Sequence, residues 1–505
     1  MKKVLIALMS VALLGGVSSC NKWLDVDADT RVGENIIFES TNGMRIALNG
    51  IYLSLGEPTL YGQNLTWGLM SVLAKDYKDG NLPAAYRSTY LIEDGEWNEN
   101  YSRGLIDPIW SKTYNVLANI NNLLQAVEKA PESFFTEYPT LERNLFMAEL
   151  RGLRALLHFN LLRMFAPAPK NDDGKAYIPY VEKYPDYQPK KLTVNETMDK
   201  IEADLLYSAQ LLADIDTMGT AGTTEFNAGP YRAYNGTYRF NTASSYWVDK
   251  GQWYSNAGTR FNYPAVTALL ARFYMWKGDK NAVIEATKYL RYKSWYEWGP
   301  KTGSNNWQNN ASSRKLYKDV LFAAYNPDLP ENYANVNKSA NFRYDTKLYD
   351  EYFGAANNSD YRKNLMSTET NKEISLRWQS PASATTDSKL EDPIAPVVRI
   401  SELYLYLVEI YADTDLEKAR NLLFEFRSYK RNAKRDLSYI QDKETLMHEL
   451  ELEWAREFQS MGERYFFYKR LGKSIYQGAD VARFDYNETN CWVFQQPLAE
   501  DSYSL

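Results

Sequence analysis

The sequence predicts a mainly α fold of tetratricopeptide-like helical hairpins, interrupted by loop-rich stretches with short helices and few strands. Residues 265–291 spell out one complete hairpin. Leu269, Phe273 and Trp276 recur at helical spacing, Lys277-Gly278-Asp279 breaks the helix, and Ala282, Ala286 and Tyr289 resume it. Small residues on the second helix let the two axes approach closely, and such a unit cannot bury its apolar face without neighbours. Residues 397–429 repeat the pattern: Tyr411 precedes Ala419 as Tyr274 precedes Ala282, and Phe426 follows Ala419 as Tyr289 follows Ala282. Between these regular segments lie stretches in which Trp and Tyr mix with Gly, Asn and Pro, a composition that reads as long loop.

The remaining elements follow in order. Residues 36–55 form a helix with Met44, Leu48 and Ile51 on one face. Residues 61–104 read as an irregular aromatic loop, and aromatic density argues against disorder there. Two helices, 107–129 and 141–165, make another hairpin, stopped by Ala166-Pro167-Ala168-Pro169. His158, beside apolar neighbours on the second of them, reads as a hydrogen-bonded core histidine rather than a ligand. Thr193 and Glu196 form a capping box that opens a helix over 193–212. The stretches 217–263 and 294–396 read as insertions, with a strand-like piece at 320–324. A single long helix is expected over 443–471, its Leu446, Leu450, Trp454 and Phe458 facing inward. The alternating Glu and Arg opposite, including Glu449, Glu453 and Glu457, read as a solvated face.

At 505 residues the chain is too long for one ordinary core, so two packed regions or one elongated array with insertions are expected. A net charge of −6 gives no electrostatic reason to expect nucleic acid. His158 and His448 are the only histidines, which leaves little material for a His-based metal site or a Ser-His-Asp triad, and no metal or cofactor is expected. Asp25, Asp27 and Asp29 match the first ligands of an EF-hand loop, but Thr30 and Ile36 stand where that loop needs Gly and Glu. Aromatic content of 14%, with 40 Tyr and 13 Trp, exceeds what a Leu- and Ala-rich helical core requires. Some rings are therefore expected on a binding surface.

The N-terminus reads as an address. Lys2 and Lys3 precede an apolar run over 4–16 that is too short to span a bilayer as an ordinary transmembrane helix, the pattern of a signal peptide. Val17-Ser18-Ser19-Cys20 resembles a bacterial lipobox, in which Cys20 is lipidated and becomes the first mature residue. Several acyl chains at about 0.8 kcal/mol per methylene hold such a protein on its membrane. Cys491 is the other cysteine, and a disulfide to Cys20 competes with lipidation for the same sulfur. The expected organisation is a signal peptide over 1–19, a lipidated polar tether over 20–34, and a body over 35–505. Hairpins in that body fall at about 105–165, 193–291 and 397–471, and insertions at about 56–104, 217–263 and 294–396.

Taken together these segments resemble the SusD and RagB family of surface lipoproteins from Bacteroidetes. The resemblance is carried by the lipobox with Asn21-Lys22-Trp23-Leu24-Asp25-Val26-Asp27, by Glu149-Leu150-Arg151-Gly152-Leu153-Arg154-Ala155 running to Phe165, and by the 265–291 hairpin. It continues in Arg399-Ile400-Ser401-Glu402-Leu403-Tyr404-Leu405, Glu453-Trp454-Ala455-Arg456-Glu457-Phe458 and Gly462-Glu463-Arg464-Tyr465. The family's Arg-rich segment before the last helices departs here to Phe426-Arg427-Ser428-Tyr429, and its Ile-Pro near the end to Gln496-Pro497. The resemblance implies one helical body whose hairpins scaffold the loop-rich region, without catalytic activity. It implies an outer-membrane location facing the exterior, a lipid anchor on Cys20, and a SusC/RagA-like TonB-dependent transporter as partner. The ligand would be an oligosaccharide or, as in the RagB branch, a peptide.

Flat rings stack on the apolar faces of sugars while amides and carboxylates bond to hydroxyls, so a glycan site needs both close together. Trp67, Trp97, Asn100 and Tyr101 in the first insertion, and Trp295, Trp298 and Trp307 beside five amides in the last, are the candidate ligand-binding residues. The competing reading is that each ring pins its loop to the scaffold. Two other classes compete with this reading: an exported helical glycoside hydrolase, which needs a carboxylate pair across a cleft, and an adaptor using the concave face of the repeats.

Overall fold

A computed structural model describes residues 34–90, 100–217, 249–255, 260–291, 313–339, 341–354, 359–367, 373–381, 391–433, 436–486 and 492–501. Two compact units are distinguished, the first ending at Ala47 and the second starting at Leu48. In the first, α1 (Glu34–Ile37) meets the start of α2 (Thr41–Leu55). Ser40 Oγ accepts the Gly43 N–H at 3.1 Å. A side chain at Gly43 would fall 1.8 Å from the Ile37 carbonyl oxygen, so only glycine allows this turn.

The second unit is mainly helical. Short helices α3 (Leu69–Leu73) and α4 (Ala84–Tyr90) precede the long α5 (Asn100–Lys129) and α6 (Pro139–Phe165). The hairpin β1 (Ala176–Pro179) and β2 (Lys191–Thr193) leads into α7 (Val194–Thr217), with Thr193 N–H donating to Glu196 in the expected capping box. After α8 (Gln252–Ser255) comes the hairpin read from the sequence, α9 (Tyr263–Lys277) and α10 (Lys280–Arg291). Its caps are those the residues dictate. Asn262 accepts the Ala265 N–H at 2.9 Å, and Gly278 takes a left-handed φ of 88° to close α9. Strand β3 (Val320–Tyr325), helices α11 (Leu329–Val336) and α12 (Thr346–Phe353), and strand β4 (Ile394–Arg399) follow. β3 and β4 pair antiparallel, Tyr325 against Ile394 and Val320 against Arg399. The second hairpin, α13 (Ile400–Tyr411) and α14 (Leu416–Glu425), begins where β4 ends and closes in a π-helical turn at Phe426–Lys430. The chain completes with α15 (Lys443–Phe458), α16 (Glu463–Leu471) and α17 (Leu498–Asp501).

Helix α6 is the centre. From Leu145 to Phe165 nearly every residue is buried, so the helix is surrounded rather than amphipathic. Its polar residues are satisfied inside. Arg154 Nε and Nη2 donate to Asp204 of α7 at 2.6 and 2.8 Å, and Glu149 accepts Arg260 at 3.0 and 2.6 Å. His158 is the hydrogen-bonded core histidine expected: Nε2 accepts the Val181 N–H at 3.1 Å, which leaves Nδ1–H to donate to the Arg154 carbonyl at 2.9 Å. The ring stacks on Tyr180 at 3.8 Å between centroids. Burial holds its pKa down to about 3. At Gly152 a Cβ would stand 2.4 Å from the Phe261 ring and 2.9 Å from Ser208 Oγ, so the glycine sets the closeness of α6 to α7.

Three expectations need correction. The single helix over 443–471 is two helices, because Ser460 and Gly462 take positive φ between them and the Ser460 N–H is drawn to Asp76 at 3.0 Å. The 56–90 part of the first insertion is not displayed loop. It is short helices and turns packed inward, with Leu60, Tyr61, Trp67, Tyr77 and Tyr86 all buried. Nor do Glu449, Glu453 and Glu457 form a solvated face. They are buried in an ion-pair network, with Glu453 and Glu457 fully covered. Glu457 meets Arg431 at 2.8 Å, Arg399 at 2.9 Å and Arg362 at 3.0 Å. Glu453 meets Arg362 at 2.7 Å and Arg456 at 3.0 Å, and Glu449 meets Arg427 at 3.1 Å. Asp360 joins through Arg362 at 2.6 Å and Asp319 through Arg431, with Lys430 adding to Asp319 at 3.0 Å. The network ties α15 to the ends of β3, β4 and α14.

Candidate functional site

The described part of the last insertion contains an open recess of about 410 Å³ where β3 leaves the sheet and β4 enters it. That volume falls within the range of small-molecule sites. Tyr325, the last residue of β3, is 40% exposed and offers its ring. Pro327, Pro330 and Pro393 supply rigid apolar walls, and Glu331, Asp392 and Ser380 supply polar groups.

The recess is fixed from behind. Asn326 N–H donates to the Pro393 carbonyl at 2.7 Å, its side-chain amide donates to the Gly56 carbonyl at 2.8 Å, and its Oδ1 accepts the Asp328 N–H at 2.9 Å. Gly56 is required by this approach, since a Cβ there would stand 2.0 Å from the Tyr325 carbonyl oxygen. Ser313 Oγ donates to Glu391 at 2.6 Å, and Arg314 Nη1 donates to the Gln379 carbonyl at 2.9 Å, which anchors the neighbours of Asp392 and Ser380. Lys315 is buried with its ammonium 4.1 Å from the centre of the Trp378 ring and no hydrogen-bond acceptor among the described residues. Burial lowers its pKa to about 7, against the attraction of Asp392 and Glu391.

Of the candidates chosen from sequence, Trp67 is corrected. It is fully buried, its indole N–H donates to the Gly62 carbonyl at 3.0 Å, and its ring packs edge-on against Tyr333 at 4.9 Å and Phe342 at 5.4 Å. No face of that ring remains for a ligand. Asn100 and Tyr101 form the first backbone residues of α5. Trp97, Trp295, Trp298, Trp307 and Cys20 lie outside the described residues. Sequence reasoning missed Tyr325, whose alternation with buried Phe322 and Ala324 on a short strand gave no sign that its ring turns outward. Among the described residues no group of His, Cys, Asp and Glu could hold a metal ion, and no helix is long and apolar enough to cross a membrane.

This arrangement of helical hairpins around a buried central helix is similar to that of solved SusD superfamily structures. A SusD superfamily protein from Bacteroides fragilis superposes with a TM-score of 0.66 at 18% identity, covering 92% of this chain and 98% of its own. Another from Bacteroides thetaiotaomicron gives 0.61 at 19% identity, over 90% and 93%. A SusD-like carbohydrate binding protein from Bacteroides vulgatus gives 0.62 at 16% identity, over 92% and 96%. In sequence, residues 22–224 match the SusD-like family described as starch-binding and associating with the outer membrane. SusD-like protein P25 of Formosa agariphila is 25% identical over 167 residues, a match spanning 32% of this chain and 30% of that relative. This chain therefore shares the fold of these SusD superfamily structures, and its residues 22–224 are similar in sequence to the SusD-like family.

Proposed function

We propose that the protein is a cell-surface lipoprotein, anchored through Cys20, that binds oligosaccharides without cleaving them and passes them to a TonB-dependent outer-membrane transporter. The observation that carries this reading is the agreement between a family match described as starch-binding and a SusD fold over nine-tenths of the chain. The aromatic and amide-rich insertions on either side of the α9–α10 hairpin supply the chemistry a glycan needs. Sugar is favoured over peptide because carbohydrate is the ligand named for the family and for a structural relative.

The test uses the protein from Asn21 onward on immobilised oligosaccharides. Retention is expected, and substitution of Trp295, Trp298 and Trp307 together by Ala is expected to abolish it with the thermal midpoint unchanged. Release of reducing sugars by the pure protein would overturn the binding-only reading. For the full chain, Cys20→Ala is expected to release the protein from the membrane fraction, and an outer-membrane transporter is expected to co-purify with the lipidated form.

A further inference from the structure

We propose that the Tyr325 recess is a subsite for a neutral sugar residue and rejects uronic acids and sulfated sugars. This deepens the oligosaccharide reading and rests on it.

A pyranose presents an apolar face of C–H groups and an edge of hydroxyls. Tyr325 and the three prolines give the recess its apolar surfaces, already rigid before binding, so little conformational entropy is lost when a ring docks. The hydrogen bonds of Asn326 and the close approach at Gly56 hold Tyr325 and Pro393 in register. The ionisable groups that line the recess among the described residues are Glu331 and Asp392, besides the phenol of Tyr325. Ionised carboxylates only accept hydrogen bonds, so they match sugar hydroxyls as donors. A uronate or sulfate would bring a third negative charge beside Glu331 and Asp392, with no cation among the described lining residues to receive it.

Two cations nearby, Arg314 and Lys315, are attracted to Asp392 from behind the recess but present no ion-pair partner to a ligand in it. Arg314 is tied to the Gln379 carbonyl, and Lys315 is buried against Trp378. Neither lines the recess.

The experiment is an array carrying malto-, manno- and xylo-oligosaccharides beside oligogalacturonates and sulfated oligosaccharides, probed with the protein from Asn21 onward. Wild type is expected on one or more neutral series and on no anionic one. Tyr325→Ala is expected to weaken neutral retention at least about tenfold at an unchanged thermal midpoint. The double variant Glu331→Gln with Asp392→Asn keeps the shape, removes the repulsion, and is expected to raise retention on the anionic sugars at least about fivefold. Neutral retention that Tyr325→Ala leaves intact, wild-type retention on anionic sugars, or no gain in the double variant would each overturn this proposal and leave the oligosaccharide reading standing. Retention on no carbohydrate at all would overturn both.

Discussion

Arg431 grips Glu457 with two parallel hydrogen bonds, Nε to Oε2 and Nη2 to Oε1, each 2.8 Å, with both side chains completely buried. Desolvating such a pair is expensive, and good geometry with further hydrogen bonds is what offsets the cost. Here Glu457 also receives Arg362 and Arg399, while Arg431 reaches Asp319 as well. Burial alone would raise the Glu457 pKa, but the charges of Arg431 and Arg399 hold it well below the usual carboxylate range.

Glu457→Gln is therefore expected to take from Arg399 its carboxylate partner and to weaken the hold on Arg362 and Arg431, which keep Asp360, Glu453 and Asp319, lowering unfolding free energy by about 3–5 kcal/mol. The urea midpoint at pH 7 measures it, and a loss under about 1 kcal/mol would show the network to be weak. Glu453 is likewise held down to about 2, with Arg362 and Arg427 overcoming burial. The stability Glu453 contributes is present above about pH 4.5 and lost as pH falls through about 2, and that of Glu457 is lost in the same direction on acidification. Wild type should accordingly lose stability on acidification more steeply than the variant.

His158 gives the second pH-dependent prediction. Its folded pKa near 3 lies below the unfolded value near 6.5, so the unfolded chain binds the proton first. Stability falls as pH drops from about 6.5 toward 3. His158→Phe removes the acceptor for the Val181 N–H and is expected to cost about 1–3 kcal/mol at pH 7. It should also flatten the decline between pH 6 and 4, which denaturation at stepped pH would read directly.

Lys315→Met tests the buried ammonium near the recess. Because burial depresses this base, stability rises with pH from about 7 toward the unfolded value near 10.4, and the penalty is complete below pH 7. The variant fills similar space without a charge and is expected to gain about 1–3 kcal/mol at pH 6. No gain at pH 6, or an equal gain at pH 10.5, would contradict it.

Trp67→Ala separates core from site. Removing a fully buried ring that makes a hydrogen bond and two edge contacts is expected to cost about 3–5 kcal/mol. Oligosaccharide retention per folded molecule should stay at the wild-type value in calorimetric titration with a malto-oligosaccharide. A selective loss of retention in a fully folded variant would return Trp67 to the ligand site.

The helical hairpins were legible because local chemistry writes them. Asn262 and Gly278 cap α9 whatever surrounds it, and the capping box of Thr193 and Glu196 starts α7 in the same way. His158 was readable as a core residue from its apolar neighbours alone. What pattern could not supply was depth. Glu453 and Glu457 alternate with Arg like a solvated face, and only the arrival of Arg362, Arg399 and Arg431 from distant positions turns that face inward. Trp67 and Tyr325 failed in opposite directions for the same reason. A ring amid Gly and Asn was covered by Tyr333 and Phe342, and a ring on a strand was left open by the end of its sheet.

By itself, then, the sequence determined that the chain forms helical hairpins needing neighbours and where the capped helices start and turn, since caps and periodicity act within a few residues. The break at Ser460–Gly462 and the short helices of 56–90 were not among what it determined. Which charges are buried and which rings remain uncovered was decided only in the tertiary structure. Burial depends on what chain segments hundreds of residues away bring to the same place.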